Sequence, residues 1–236
     1  MNRSVAIASV ATYLEDFLSD TEAFRGQQLR GGGPVAEFEA LLAKRCGYPY
    51  CVATCNATSA LMGVGLAFHN RNSEVWIPHD HWVGTASAFR SVGCKVRLFR
   101  GCDPPKARGK KPGILVTGSR SERPPGFEDW IWIEDSSRLP GHTHPSGCVS
   151  SADYQVISLG SGKPLCLGEG GAILCRKRSH YRRLIQLTQH PERHASEFGE
   201  LAALPELALN ARIHPIAAIL GVAVLTGGDG SLRAEV

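Results

Sequence analysis

Short, nearly unbroken apolar runs recur along this chain, separated by segments of a different period. The runs are YCVAT (50–54), EVWI (74–77), KVRLF (95–99), GILVT (113–117), WIWIE (130–134), YQVISL (154–159) and GAILC (171–175). A strand wet on one face alternates apolar and polar residues, whereas a strand covered on both faces reads as a continuous apolar run. Between and around them the period becomes helical. Residues 35–46 put Val35, Phe38, Leu41, Leu42 and Cys46 on one helical face, with Pro34 at the first helical position. Residues 57–68 and 82–92 also read as helices, the first rich in small residues that permit close packing on a sheet. Further helical segments are predicted at 180–189, 200–209 and 213–225. Strands alternating with helices predict an α/β protein with a mostly parallel sheet. In such sheets ligands bind at the carboxyl ends of the strands, beside helix N-termini.

The linkers 100–112 and 118–127 are rich in Pro, Gly and charge and show no helical period. Only about a dozen residues separate GILVT from WIWIE, close to the minimum for a parallel crossover. The 236 residues are 43% hydrophobic and 20% charged, with a formal net charge of +4, ordinary values for a globular enzyme or binding protein. The densest basic patch, 106–111, reads as a solvated loop and predicts no nucleic-acid partner. No apolar stretch is long enough to cross a membrane. The N-terminal apolar run contains Glu15 and Asp16 and leads into a helical pattern through Tyr13 and Phe17, unlike a secretory signal. The cysteines at 46, 51, 55, 94, 102, 148, 166 and 175 form no C-x-x-C pair and lie largely in apolar runs. Reduced thiols and a cytoplasmic location are expected.

The stretch SLGSGKPLCLGEGGAILC (158–175) sets one lysine between glycine-rich turns. A phosphate-binding P-loop needs a glycine five residues before Gly162 and a hydroxyl after the lysine. Those positions hold Ile157 and Pro164, so Lys163 is not a nucleotide-gripping lysine. The pairs His79/His81 and His142/His144 lack the additional ligands of a metal site, and none is expected. No G-x-S-x-G elbow is present.

Four other features are informative together. The strand WIWIE delivers Asp135 at its end, and Lys163 follows among small residues. CNATSAL (55–61) places a polar turn at a helix N-terminus directly after a strand. Free amides and the helix dipole there favour an anion such as phosphate. Trp82 opens the next helix and offers a plate for a flat ring. An anion turn, an aromatic plate, a strand-end carboxylate and a lysine are the parts needed to hold pyridoxal 5′-phosphate (PLP). The lysine binds its carbonyl, and the carboxylate keeps its ring nitrogen protonated.

In order, these residues resemble the DegT/DnrJ/EryC1/StrS family of PLP-dependent aminotransferases. GPVAEFE (33–39) is similar to the family's opening G-P-x-V-x-x-F-E, CNATSAL to its S-S-G-T-x-A-L and WIED to its V-I-E-D. SLGSGKPLCLGEGG fits its S-F-x-x-x-K-x-x-x-x-G-E-G-G, and NARIHPIAAILG its N-x-R-x…A-A…G. The resemblance runs from the glycines at 31–33 to the helix ending near 225. It implies the type I aminotransferase fold, a three-layer α/β/α large domain. It assigns the internal aldimine to Lys163, the pyridine nitrogen to Asp135 and the ring plate to Trp82. Phosphate contacts fall on Asn56, Ala57, Thr58 and Ser158. Asn210 would reach the phosphate of a neighbouring subunit in a homodimer, and Arg138 would lie near the phenolic oxygen.

The chain departs from the family pattern in several places. Ala57 replaces a glycine, Arg138 replaces a Gln or His, and a His/Tyr-Gly element is absent after GILVT. The chain also stops at Val236, before a C-terminal small domain. The expected organisation is an N-terminal helical arm (1–33), a PLP-binding large domain (34–225) and a disordered tail (226–236). The expected activity is transamination of a keto-sugar or other small keto substrate in a specialised pathway such as antibiotic biosynthesis. The alternatives are another PLP reaction, or a catalytically reduced homologue serving as a partner or regulatory subunit. The apolar helix IAAILGVAVL is expected to bury its face in a dimer.

Overall fold

The computed structural model describes residues 3–68, 74–101, 103–105, 111–118, 122–137, 150–199 and 208–226. Helices α1 (Arg3–Ser19), α2 (Thr21–Leu29) and α3 (Pro34–Cys46) lead into strand β1 (Tyr50–Thr54). There follow α4 (Ala57–Phe68), β2 (Glu74–Pro78), α5 (Val83–Ser91), β3 (Lys95–Phe99), β4 (Ile114–Thr117), β5 (Ile131–Asp135), β6 (Tyr154–Ser158) and β7 (Gly171–Cys175). The chain continues through α6 (Arg178–Thr188), α7 (Pro191–Phe198) and α8 (Pro215–Thr226). The strands form one sheet in the order β1-β7-β6-β5-β4-β2-β3. Strand β7 runs antiparallel to both its neighbours, and the other pairs are parallel.

The α/β expectation holds, and the continuous apolar strands are explained by cover on both faces. One face packs Val52, Val75, Ile77, Val116, Ile133, Val156 and Ile173 against α4, α5 and α6. The other splits in two. Under β1, β7 and β6, the helices α3 and α8 supply Phe38, Leu42, Cys46 and Ala218. Under the remaining strands lies an aromatic cluster of Trp76, Phe99, Phe127, Trp130 and Trp132. Phe127 and Trp130 belong to the connection from β4 to β5, which is non-helical over its described residues 122–130. Its aromatic side chains do the covering that a crossover helix would otherwise do. Arg123 pins it, donating to the carbonyls of Phe127 and Trp130 and pairing with Asp153 at 2.8 Å.

Sequence and structure differ in places. Helix α7 lies where no helix was read. Residues 208 and 209 of the helix expected at 200–209 are not helical, and 200–207 lie outside the described residues, as do 227–236 of the tail. Helix α8 buries Ala217, Ala218, Ile219, Gly221 and Ala223 within this chain, against α3 and α1, while Leu220, Val222, Val224 and Leu225 are half-buried. Among the described cysteines, Cys46, Cys51, Cys94 and Cys175 are buried free thiols. Burial pushes the Cys46 and Cys175 thiols up to about 12, which leaves them as small hydrophobes.

A buried polar cluster ties α3 to β1 and α7. Arg193 Nη1 and Nη2 donate to Glu39 Oε1 and Oε2 at 3.0 and 2.5 Å. Both side chains are almost fully buried. Removing one partner of a buried pair leaves an uncompensated charge. Arg193→Met is therefore expected to lower the unfolding free energy by about 3–5 kcal/mol. Arg97→Met, which breaks the exposed pair of Arg97 with Glu74, should leave the unfolding midpoint close to that of the wild type. Urea denaturation of both variants checks this, and equal losses would contradict it.

Candidate active site

Strand β1 ends at Thr54, and the chain turns straight into α4. Asn56 Oδ1 accepts from Ser59 N at 2.8 Å and so caps the helix. Thr54 Oγ1 donates to the Asn56 carbonyl at 3.0 Å and holds the turn. Ala57 and Thr58 are the first two residues of α4, whose amides have no carbonyl within their own helix to bond. Both line a cavity of about 660 Å³ at the carboxyl ends of the parallel strands. Its size lies within the usual range for a small-molecule site. Alanine at position 57 is accommodated at the helix start, where it packs against the core; its φ is not positive.

The same cavity is lined by Trp82, Asp135, Ser158 and Lys163. Each reaches it from the end of a different element: Trp82 as the residue before α5, Asp135 closing β5, Ser158 closing β6, and Lys163 in the loop between β6 and β7. Strand order sets their sequence in space. Ser158 and the α4 turn flank β7, Asp135 lies one strand further, and Gly118 and His81 follow beyond β4 and β2. Asp135 Oδ1 accepts from Ser137 N at 3.0 Å, and its Oδ2 from Thr85 Oγ1 at 3.3 Å. Among the described residues no acidic side chain pairs with Lys163. Trp82 is 68% exposed. Its indole edge lies beside Gly84, where an added Cβ would stand 2.7 Å from Nε1.

The GEGG signal has a steric cause. A Cβ on Gly171 would lie 2.3 Å from the Asn56 carbonyl carbon and 2.4 Å from Ala57 N. Only glycine lets the first residue of β7 run against the backbone of the anion turn. The lysine loop and the α4 turn are thereby brought into one site.

The other expected residues fall differently. Asn210 is exposed, with φ 46, and does not line this chain's cavity. Arg138, His142 and His144 lie outside the described residues. His79 is exposed and His81 lines the cavity. No group of three or more possible metal-ligating side chains occurs among the described residues. Thr85, His81, Asp80 and Ser137 line the site without having been singled out for it. The i,i+2 histidine pair drew attention only as a metal pattern, and Thr85 has no sequence signal beyond being a polar residue in a small-residue helix.

The residues present fit PLP. An anion seat, a carboxylate anchored on both oxygens, an unpaired lysine and an aromatic ring open to the cavity occur together.

The DegT/DnrJ/EryC1/StrS aminotransferase family model matches residues 15–105. No curated protein sequence matches the chain. Among solved structures, the E. coli GDP-4-keto-6-deoxy-D-mannose-3-dehydratase with bound hydrated PLP aligns with a TM-score of 0.70 at 16% identity, over 94% of this chain and 64% of that one. Helicobacter pylori PseC, an aminotransferase involved in the biosynthesis of pseudoaminic acid, aligns at 0.64 and 18%, over 90% and 61%. DesI, crystallised in the presence of its TDP-sugar product, aligns at 0.68 and 24%, over 92% and 57%. The chain thus shares their fold and spans less than two thirds of their length.

Gly171→Ala should displace the anion turn by steric overlap. It is expected to weaken PLP binding by on the order of tenfold, as for the loss of one charge-assisted hydrogen bond. Its stability should fall by about 1–3 kcal/mol, as for overpacking elsewhere. Absorbance titration with PLP, alongside urea denaturation, measures both, and unchanged affinity would exclude the close-approach explanation.

Proposed function

We propose that this chain is a PLP-dependent aminotransferase acting on a keto-sugar or other small keto substrate in a specialised biosynthetic pathway. The observation that carries this is the convergence of Lys163, Asp135, Trp82 and the α4 N-terminus on one cavity. When bound, PLP supplies an electrophilic carbonyl and an electron-withdrawing ring that stabilises negative charge on an adjacent carbon. The amides of Ala57 and Thr58, with Ser158, bind the phosphate and fix the cofactor's register. Trp82 would offer its ring as a plate for the cofactor. Asp135 would hold a proton at the ring nitrogen. Lys163 Nζ would hold the cofactor through its carbonyl and otherwise move a proton at the reacting carbon. Nothing else in the described cavity competes for this amine.

In this proposal the working unit is a cytoplasmic homodimer, and Asn210 serves the neighbouring copy's phosphate. Its exposure and its absence from its own chain's cavity lining support that arrangement. Residues 1–33 form the arm and 34–225 the cofactor-binding domain, with α1 and α2 packed on α8 and α7. One likened structure is a dehydratase, so the amino-transfer step needs its own test.

The purified chain with PLP should develop a visible absorbance band that Lys163→Ala abolishes. Adding L-glutamate or L-glutamine should convert the wild-type spectrum to that of the pyridoxamine form. A band that persists unchanged under both amino donors would point to a different PLP reaction, and no band at all would reject the PLP enzyme.

A further inference from the structure

We propose that Thr85 is a positioning residue that holds the Asp135 carboxylate in one orientation. This rests on the PLP function proposed above. The carboxylate is engaged from two sides: Ser137 N donates to Oδ1 at 3.0 Å and Thr85 Oγ1 donates to Oδ2 at 3.3 Å. Rotation of the carboxylate about its own bond would break both contacts. The backbone contact comes from the segment just beyond β5, and the hydroxyl comes from α5, across the sheet end.

Thr85 suits this task. It is 1% exposed, and its branched side chain has little freedom at χ1. A hydroxyl has a single proton to donate. Thr188 and Thr226 spend theirs on carbonyls of their own helices, Leu184 and Val222. Thr85 spends its proton on Asp135.

The position also links two functions. Thr85 N donates to the Trp82 carbonyl at 2.9 Å and closes the first turn of α5. One backbone hydrogen bond thus joins the segments that carry the ring plate and the carboxylate clamp.

The test compares Thr85→Val, which keeps the shape and removes the hydroxyl, with Thr85→Ser, which keeps the hydroxyl. Thr188→Val is the control for losing a buried threonine hydroxyl elsewhere. Each is titrated with PLP, and the pH midpoint of the visible band is measured. Thr85→Val is expected to bind PLP about tenfold more weakly, the scale of one hydrogen bond to a charged group. Its band midpoint should move to higher pH: a ring nitrogen less firmly protonated would draw less charge from the lysine-bound nitrogen, which would then keep its proton to higher pH. Thr85→Ser should remain within about twofold of wild type, a change too small to equal a lost hydrogen bond. Thr188→Val should lower the unfolding midpoint and leave both readouts unchanged. Thr85→Val matching wild type in affinity and midpoint, or Thr85→Ser failing as Val does, would overturn the clamp while leaving the proposed function standing. A wild type that gives no band with PLP would overturn both.

Discussion

The buried contact of Glu39 with Arg193 supports the edge of the sheet on which the site is built. Strand β1 is an edge strand, and an edge exposes backbone groups that need partners. At Ala53 those partners are side chains: its N–H donates to Glu39 Oε1 at 2.7 Å, and its carbonyl accepts from Gln189 Nε2 at 3.1 Å. Two residues on, Cys55 N donates to the Ala211 carbonyl at 2.9 Å. A carboxylate and an amide thus stand where a neighbouring strand would be. Burial pushes the Glu39 carboxyl up, and Arg193 opposes that shift. Burial alone would lower Arg193, but the Glu39 carboxylate outweighs it and raises the guanidinium well above its ordinary value. Each charge makes the burial of the other tolerable. The turn into α4 begins three residues after Ala53, so the pair helps to fix where that turn lies.

The second constraint is on the other side of β1. Strand β7 is antiparallel, so its first residue meets the end of β1 and the end of β6 at once: Gly171 pairs with both Thr54 and Ser158. An antiparallel strand between two strands of the opposite sense brings the lysine loop back to the end of the sheet that bears the anion turn. A parallel β7 would have carried its entry loop to the far end. The site therefore depends on one reversal of strand direction and one missing Cβ.

Much of this was legible in the sequence, for identifiable reasons. The strands were found because burial on both faces removes polar residues from them. Asp135 and Lys163 stood out because a charged residue at the end of an apolar strand, or alone among glycines, has no packing role. The reversal of β7 was not legible, since strand direction leaves no mark on an apolar run. Helix α7 was missed because it is short and its buried residues, Arg193 and His194, are polar. Its burial follows from a partner far away in sequence, and periodicity does not record such a partner. The apolar helix α8 was recognised as a helix, yet its face is taken by α3, and hydrophobicity alone does not distinguish a partner within the chain from one outside it. Thr85 shows the same limit at the site, for only the approach of α5 to β5 gives its hydroxyl a meaning.

The two halves of the sheet's second face are supported differently, and the site straddles them. Under β1, β7 and β6, the helices α3 and α8 back the strands that carry the phosphate seat and Ser158. Under β4 and β2 the backing is a loop, held by Arg123 and by edge-to-face contacts of Trp76 with Phe127 and Trp130 at 5.7 and 5.6 Å. Asp135 lies at the boundary. Its own strand is tied to the residue before β6, where Asp153 accepts from Trp132 N at 2.9 Å and pairs with Arg123 of the loop. Anchoring a cofactor requires fixed geometry, and the helix-backed half provides it. Beyond Asp135 the cavity is bounded by Gly118, Asp80 and His81, small or polar groups at the ends of strands whose support is a short crossover. Under the proposed function, a cofactor would rest against the half where the packing is deepest, and a substrate would enter on the side where the connections are shortest.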